Sequence, residues 1–166
     1  MIQIILSILI LVFYIVALSC YGGRIPSSLS ASVFYLPQKK RWIWSVFLFS
    51  VSFLTLPVLI ESVSEDTRFI AFLSISALAF VGAAPLEGST TGISFKVHFI
   101  SAYVCCIGSQ LLIYFNSPWL LLFWVPWVIT LVWFKCRGER WRTWSFWAEM
   151  VCFANPLVFC LISVLK

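Results

Sequence analysis

Apolar residues run almost unbroken through six stretches of this chain: Ile2–Ser19, Trp42–Ile60, Phe69–Ala84, Val97–Phe115, Trp119–Phe134 and Thr143–Leu165. An α-helix needs about 20 apolar residues to cross the hydrocarbon core of a bilayer, with a range of roughly 17–25. The pattern therefore predicts an all-α fold, a polytopic bundle of six transmembrane helices that forms a single domain over residues 1–166. The third and fifth stretches are short, and they rely on flanking residues or on local thinning of the membrane. The first stretch is read as a helix of the bundle rather than as a signal peptide. It has no basic residue ahead of its apolar run, and Cys20-Tyr21-Gly22 is not a small-residue cleavage site.

The polar breaks between the stretches alternate in charge. Residues 20–41 hold Arg24, Lys39, Lys40 and Arg41, residues 85–96 hold Lys96, and residues 135–142 hold Lys135, Arg137, Arg140 and Arg142. That places nine basic residues on one side of the membrane, against Arg68 and Lys166 on the other. The excess of Lys and Arg in cytoplasmic loops predicts that these three linkers face the cytoplasm and that both termini lie outside it. The linker with Glu61, Glu65 and Asp66 then faces out, as does the Asn116-Ser117-Pro118 turn.

Composition agrees with this class. The chain is 62% hydrophobic and only 10% charged, where a soluble domain carries about 25% charged residues. Nine Trp and sixteen Phe suit a lipid-facing surface with aromatic belts. The net charge of +5 does not point to nucleic acid, because the basic residues flank apolar segments. They point to anionic headgroups, so membrane lipids are the expected partners. A homo-oligomer or another membrane protein is a further partner compatible with the sequence. The expected location is a plasma or inner membrane, crossed several times.

The six cysteines lie mostly within or beside the apolar stretches, and no CxxC occurs. They read as small buried hydrophobes rather than metal ligands, and no cofactor is expected. Cys20 and Cys136 sit at membrane boundaries, where acylation is chemically open to them.

Few polar residues remain for function. Ionisable groups inside a span are costly and usually face a protein interior or a cavity. Glu149 is the clearest case, seven residues past Arg142, hence roughly 10 Å along a helix. Asn155 and Pro156 follow on the same segment. His98, the single histidine, opens the fourth span and heads a stripe of small residues, Ala102, Cys105 and Ser109, widened by Ser101 and Gly108. Such a stripe lets helices approach closely, so His98 is expected to face inward and to meet Glu149. Gln110 lies deeper and needs a partner. Glu87 falls in the second cytoplasmic linker, near Lys96 and His98. The first linker is rich in Gly, Pro and Ser from Gly22 to Ser32, then runs apolar through Val33-Phe34-Tyr35-Leu36. It reads either as an ordinary interfacial linker or as a re-entrant segment. In the second case Arg24, Ser27 and the start of a short helix would offer donors to an anion. The candidate ligand-binding residues are thus His98, Glu149, Asn155, Glu87, Arg24 and Ser27; no residue is assigned a catalytic role.

The runs Ile25-Pro26-Ser27-Ser28-Leu29-Ser30, Gly82-Ala83-Ala84-Pro85 and Val97-His98-Phe99-Ile100-Ser101-Ala102, in this order among six helices, resemble small six-helix membrane families, including the DRAM/Frag-like group and related bacterial proteins. The resemblance implies the six-helix fold and no chemistry. A more distant comparison is the multi-histidine lipid hydrolases of the ceramidase superfamily. Catalytic zinc typically takes three protein ligands, and this chain has one His.

Three functions fit. The first is a small-solute or lipid transporter, or ligand-binding bundle, with a polar cavity facing the cytoplasm. The second is a structural or assembly subunit of a membrane complex. The third is a lipid-modifying enzyme, for which a serine hydroxyl within reach of His98 would be needed. No GxSxG or HExxH is present to mark the third.

Overall fold

The computed structural model describes residues 1–22, 24–84, 92–138 and 141–165. Six helices are long and apolar enough to span a membrane, and no strand occurs among the described residues. Their α-helical parts are α1 (Ile2–Gly22), α2 (Trp42–Ser62), α3 (Arg68–Ala83), α4 (Ile93–Asn116), α5 (Trp124–Cys136) and α6 (Trp144–Leu165), and the third and fifth reach spanning length only with the 3-10 segments that precede them. The fourth span begins about a turn before its apolar run, after Gly92, whose φ of +123° only glycine adopts readily. The fifth starts as a 3-10 segment, Pro118–Phe123, and becomes α-helical at Trp124. Pro126 explains the switch. It has no N–H to donate, so it fits the first turn of an α-helix and not its interior.

Hydrogen bonds between linkers sort the helix ends. At one end Ser64 N–H donates to Asn116 Oδ1 at 3.0 Å, and Asn116 Nδ2 donates to Thr67 Oγ1 at 3.0 Å. These bonds join the α2–α3 linker to the α4–α5 turn. At the opposite end the first linker bonds to α4 and α6, as described below. Among the described residues, the first linker with Lys39, Lys40 and Arg41 thus lies at the end where α4 and α6 begin, beside Lys96, and the acidic linker lies at the other. The apolar core divides the same way. Ile4, Leu59, Leu112, Ile113 and Cys160 pack near the acidic end, and Tyr14, Trp44, Leu48, Val51 and Phe146 near the basic end.

The small residues of α3 and α4 set how closely the helices approach. Ala71, Ser74 and Ala77 of α3 are buried. A methyl group added at Gly108 of α4 would collide with the Ser74 side chain, and one at Gly82 would lie 3.1 Å from Leu48 Cβ on α2. Gly108→Leu is expected to lower stability by about 1–3 kcal/mol through overpacking. The thermal unfolding midpoint in detergent measures this, and an unchanged midpoint would mean that α3 and α4 do not pack at this distance.

α5 is the outlier. None of its residues is buried, and it is held by tryptophans rather than by a core. Trp124 Nε1 donates to Gln110 Oε1 at 2.8 Å, and Trp127 Nε1 donates to the Trp144 carbonyl at 2.9 Å. Trp119, Trp133, Trp144 and Trp147 are exposed, as a lipid-facing belt requires, while Trp124 and Trp127 instead clasp neighbouring helices.

Candidate functional site

Residues 29–36 of the first linker pack against the basic end of the bundle. Ser30–Tyr35 forms a short 3-10 helix. Leu29, Val33 and Leu36 bury their side chains in the core shared by α1 and α2, which stabilises the docked segment by roughly 1.5–3 kcal/mol per large side chain. Phe34, by contrast, stays exposed, with the Arg41 guanidinium 5.4 Å above its ring.

Polar bonds from three helices fix the segment. On α6, one oxygen of Glu149 accepts from two neighbouring amides, Leu29 N–H at 2.8 Å and Ser30 N–H at 3.3 Å. Its other oxygen accepts from the Ser145 hydroxyl at 3.1 Å. The linker returns the favour: the Ser27 carbonyl accepts from Phe146 N–H at 3.0 Å, satisfying an amide that the first turn of α6 would leave open. On α4, His98 Nε2 lies 3.0 Å from Ser30 Oγ, and its Nδ1 lies 2.9 Å from the Ala84 carbonyl. On α1, the Tyr14 hydroxyl lies 2.6 Å from Ser32 Oγ, and the Ser32 hydroxyl also bonds to the Leu29 carbonyl.

A carbonyl oxygen only accepts, so Nδ1 of His98 carries a proton and donates to Ala84. In the neutral ring Nε2 then holds the lone pair and accepts from the Ser30 hydroxyl. The ring is 1% exposed and lies 5.8 Å from the Trp44 ring, nearly parallel to it. His98 and Glu149 form no ion pair; what they share is a neighbour in the first linker. They converge on Ser30, one on its hydroxyl and the other on its amide.

This convergence borders a cavity of about 300 Å³. Ser28, Ser30, His98, Ser145 and Glu149 belong to its polar lining, and Leu48, Leu78, Val81 and Phe153 to its apolar lining. Phe99, Tyr103 and Trp144 also line it and are themselves exposed. Through these three residues the cavity lining reaches the outer surface of α4 and the start of α6.

The remaining candidates are placed elsewhere. Asn155 is fully buried, but it belongs to a second polar group: its Nδ2 donates to Gln110 Oε1 at 2.8 Å, and Gln110 Nε2 donates to Ser109 Oγ at 3.2 Å. That group ties α6 to α4 and, through Trp124, to α5. The Asn155 Oδ1 is buried without a partner. Arg24 is exposed and does not line the cavity, and Ser27 contributes its carbonyl while its side chain is exposed. Glu87 lies outside the described residues. Ser145 and Tyr103 were not singled out from the sequence, and Ser30 was read only as one of the serines of the first linker, one of which would have to reach His98. Nothing local marks them, since each gains its importance from a helix distant in the chain.

Comparison with known proteins returns no match among family models, curated proteins or solved structures.

Proposed function

We propose that the protein is a ligand-binding or transport bundle for a single-chain amphiphile, taken up from the membrane beside the basic end of the bundle. The cavity is the observation that carries this reading. It combines polar and apolar lining in one space, and three of its lining residues, Phe99, Tyr103 and Trp144, also reach the outer surface of the bundle. Ligand pockets typically measure about 300–1,000 Å³, so about 300 Å³ has room for a small head and the first part of one acyl chain, the rest of the chain extending out of the cavity, and not for a two-chain phospholipid. The polar lining offers a carboxylate, a neutral imidazole and hydroxyls, which favours an uncharged head that donates hydrogen bonds, such as glycerol. The Lys/Arg asymmetry supports a cytoplasmic position for the basic end of the bundle.

Native mass spectrometry of the delipidated protein with monoolein tests this. One monoolein per chain is expected for the wild type. Ala102→Phe, which fills the cavity from α4, is expected to weaken binding at least about 10-fold, equivalent to about 1.4 kcal/mol. Equal binding by the variant would place the ligand elsewhere, and no binding by the wild type would remove the reading.

A further inference from the structure

We propose that Ser30 is a nucleophile and His98 its general base, and that the site cleaves the ester of a single-chain acyl lipid. The proposal rests on the binding reading above, since the ester must be seated in the same cavity.

The geometry has the parts that acyl transfer requires. A nucleophilic serine needs a base within hydrogen-bond reach, and the base needs a third group to orient it. Ser30 Oγ lies 3.0 Å from His98 Nε2, and Nδ1 is held by the Ala84 carbonyl at 2.9 Å. The bond to Ala84 leaves the lone pair of Nε2 pointing at the hydroxyl. Burial of the ring against Trp44 locks that orientation.

Acyl transfer also needs donors aimed at a developing oxyanion. The amides of Leu29 and Ser30 converge on one carboxyl oxygen, that of Glu149, at 2.8 and 3.3 Å. One of these donors belongs to the nucleophile itself. In the resting protein the carboxylate fills the place that the substrate oxygen would take. The Ser145 hydroxyl, bonded to the other carboxylate oxygen at 3.1 Å, gives Glu149 a partner to keep when the substrate enters. Glu149 is on this account a positioning residue, which holds the two amides in register until an ester oxygen replaces it.

The reaction balances without a redox partner. Ser30 Oγ attacks the ester carbonyl and its proton passes to His98 Nε2. The bond from carbonyl carbon to the glycerol oxygen breaks, and His98 returns the proton to that oxygen. Water then attacks the acyl-serine with His98 as base, releasing a fatty acid and restoring Ser30. Leu48, Leu78, Val81 and Phe153 hold the acyl chain away from water through both steps.

Fluorophosphonates form a phosphorus–oxygen bond to an activated serine and expel fluoride, so they test the dyad directly. The full-length protein in detergent is treated with an isopropyl and with a long-chain fluorophosphonate, and the adduct is mapped by peptide mass spectrometry. One adduct is expected, on Ser30, and monoolein should slow its formation. Ser30→Ala should abolish it. His98→Gln, whose amide can still bond to Ala84 and Ser30, should slow it by about 100-fold or more, the scale of general-base catalysis. Release of oleate from monoolein should follow the same order. Adduct mapping in the wild type needs no variant to fold. Monoolein binding without a Ser30 adduct from either reagent would overturn the catalytic proposal and leave the binding reading standing. Failure of monoolein to bind while the isopropyl reagent still labels Ser30 would do the reverse for the ligand and keep the dyad. Labelling of His98→Gln at the wild-type rate would overturn the base assignment.

Discussion

Glu149→Ala is expected to lower stability by about 2–4 kcal/mol and to release the first linker from the bundle. The carboxylate accepts from Leu29 N–H, Ser30 N–H and the Ser145 hydroxyl. Removing it leaves two amides beneath the packed side chains of Leu29 and Val33 without an acceptor, and a buried unsatisfied group costs about 1–3 kcal/mol. Water entering the cavity offsets part of that cost, which keeps the expected value below the full sum. Glu149→Gln retains an acceptor oxygen and should cost less, about 1 kcal/mol. Unfolding in mixed micelles at increasing denaturing detergent reads both values. A silent Glu149→Ala would mean that the linker is held by its apolar side chains alone.

His98→Ala is the second large effect, also about 2–4 kcal/mol. Two polar partners, the Ala84 carbonyl and the Ser30 hydroxyl, lose their bonds, and the removed ring leaves a void beside Trp44. The two substitutions should not add. Each undocks the same segment through Ser30, so the double variant is expected to cost about 1–2 kcal/mol less than the sum of the singles. Full additivity in that double-mutant cycle would show that His98 and Glu149 act on separate elements.

The membrane class and the six spans were legible because lipid demands long apolar runs with every backbone bond made inside the helix. The placing of the first linker at the end where α4 and α6 begin followed from span order. The apolar run Val33–Leu36 was legible as needing burial in protein or in the interface; which of its residues face the protein was not, and Phe34 stays exposed. The 3-10 start of the fifth span was not read, although Pro126 stood inside it. Glu149 and His98 were visible as costly residues, but their shared partner was not. Ser30 is 68 residues from His98 and 119 from Glu149, and one serine in a Ser-rich linker looks like any other. Asn155 was grouped with Glu149 because the two share a segment. Six residues along a helix carry it deeper, where Gln110 takes it into a different network.

The first linker is a docked part of the bundle, held by Glu149 and His98 at the edge of the cavity. Amide hydrogen exchange across residues 27–36, measured with the protein in lipid nanodiscs, tests this docking most directly. The account predicts slow exchange at Leu29 and Ser30 in the wild type and a marked loss of that protection in Glu149→Ala, with exchange in the α3 core around Ala71 and Ser74 unchanged. Rapid exchange at Leu29 and Ser30 in the wild type would contradict it.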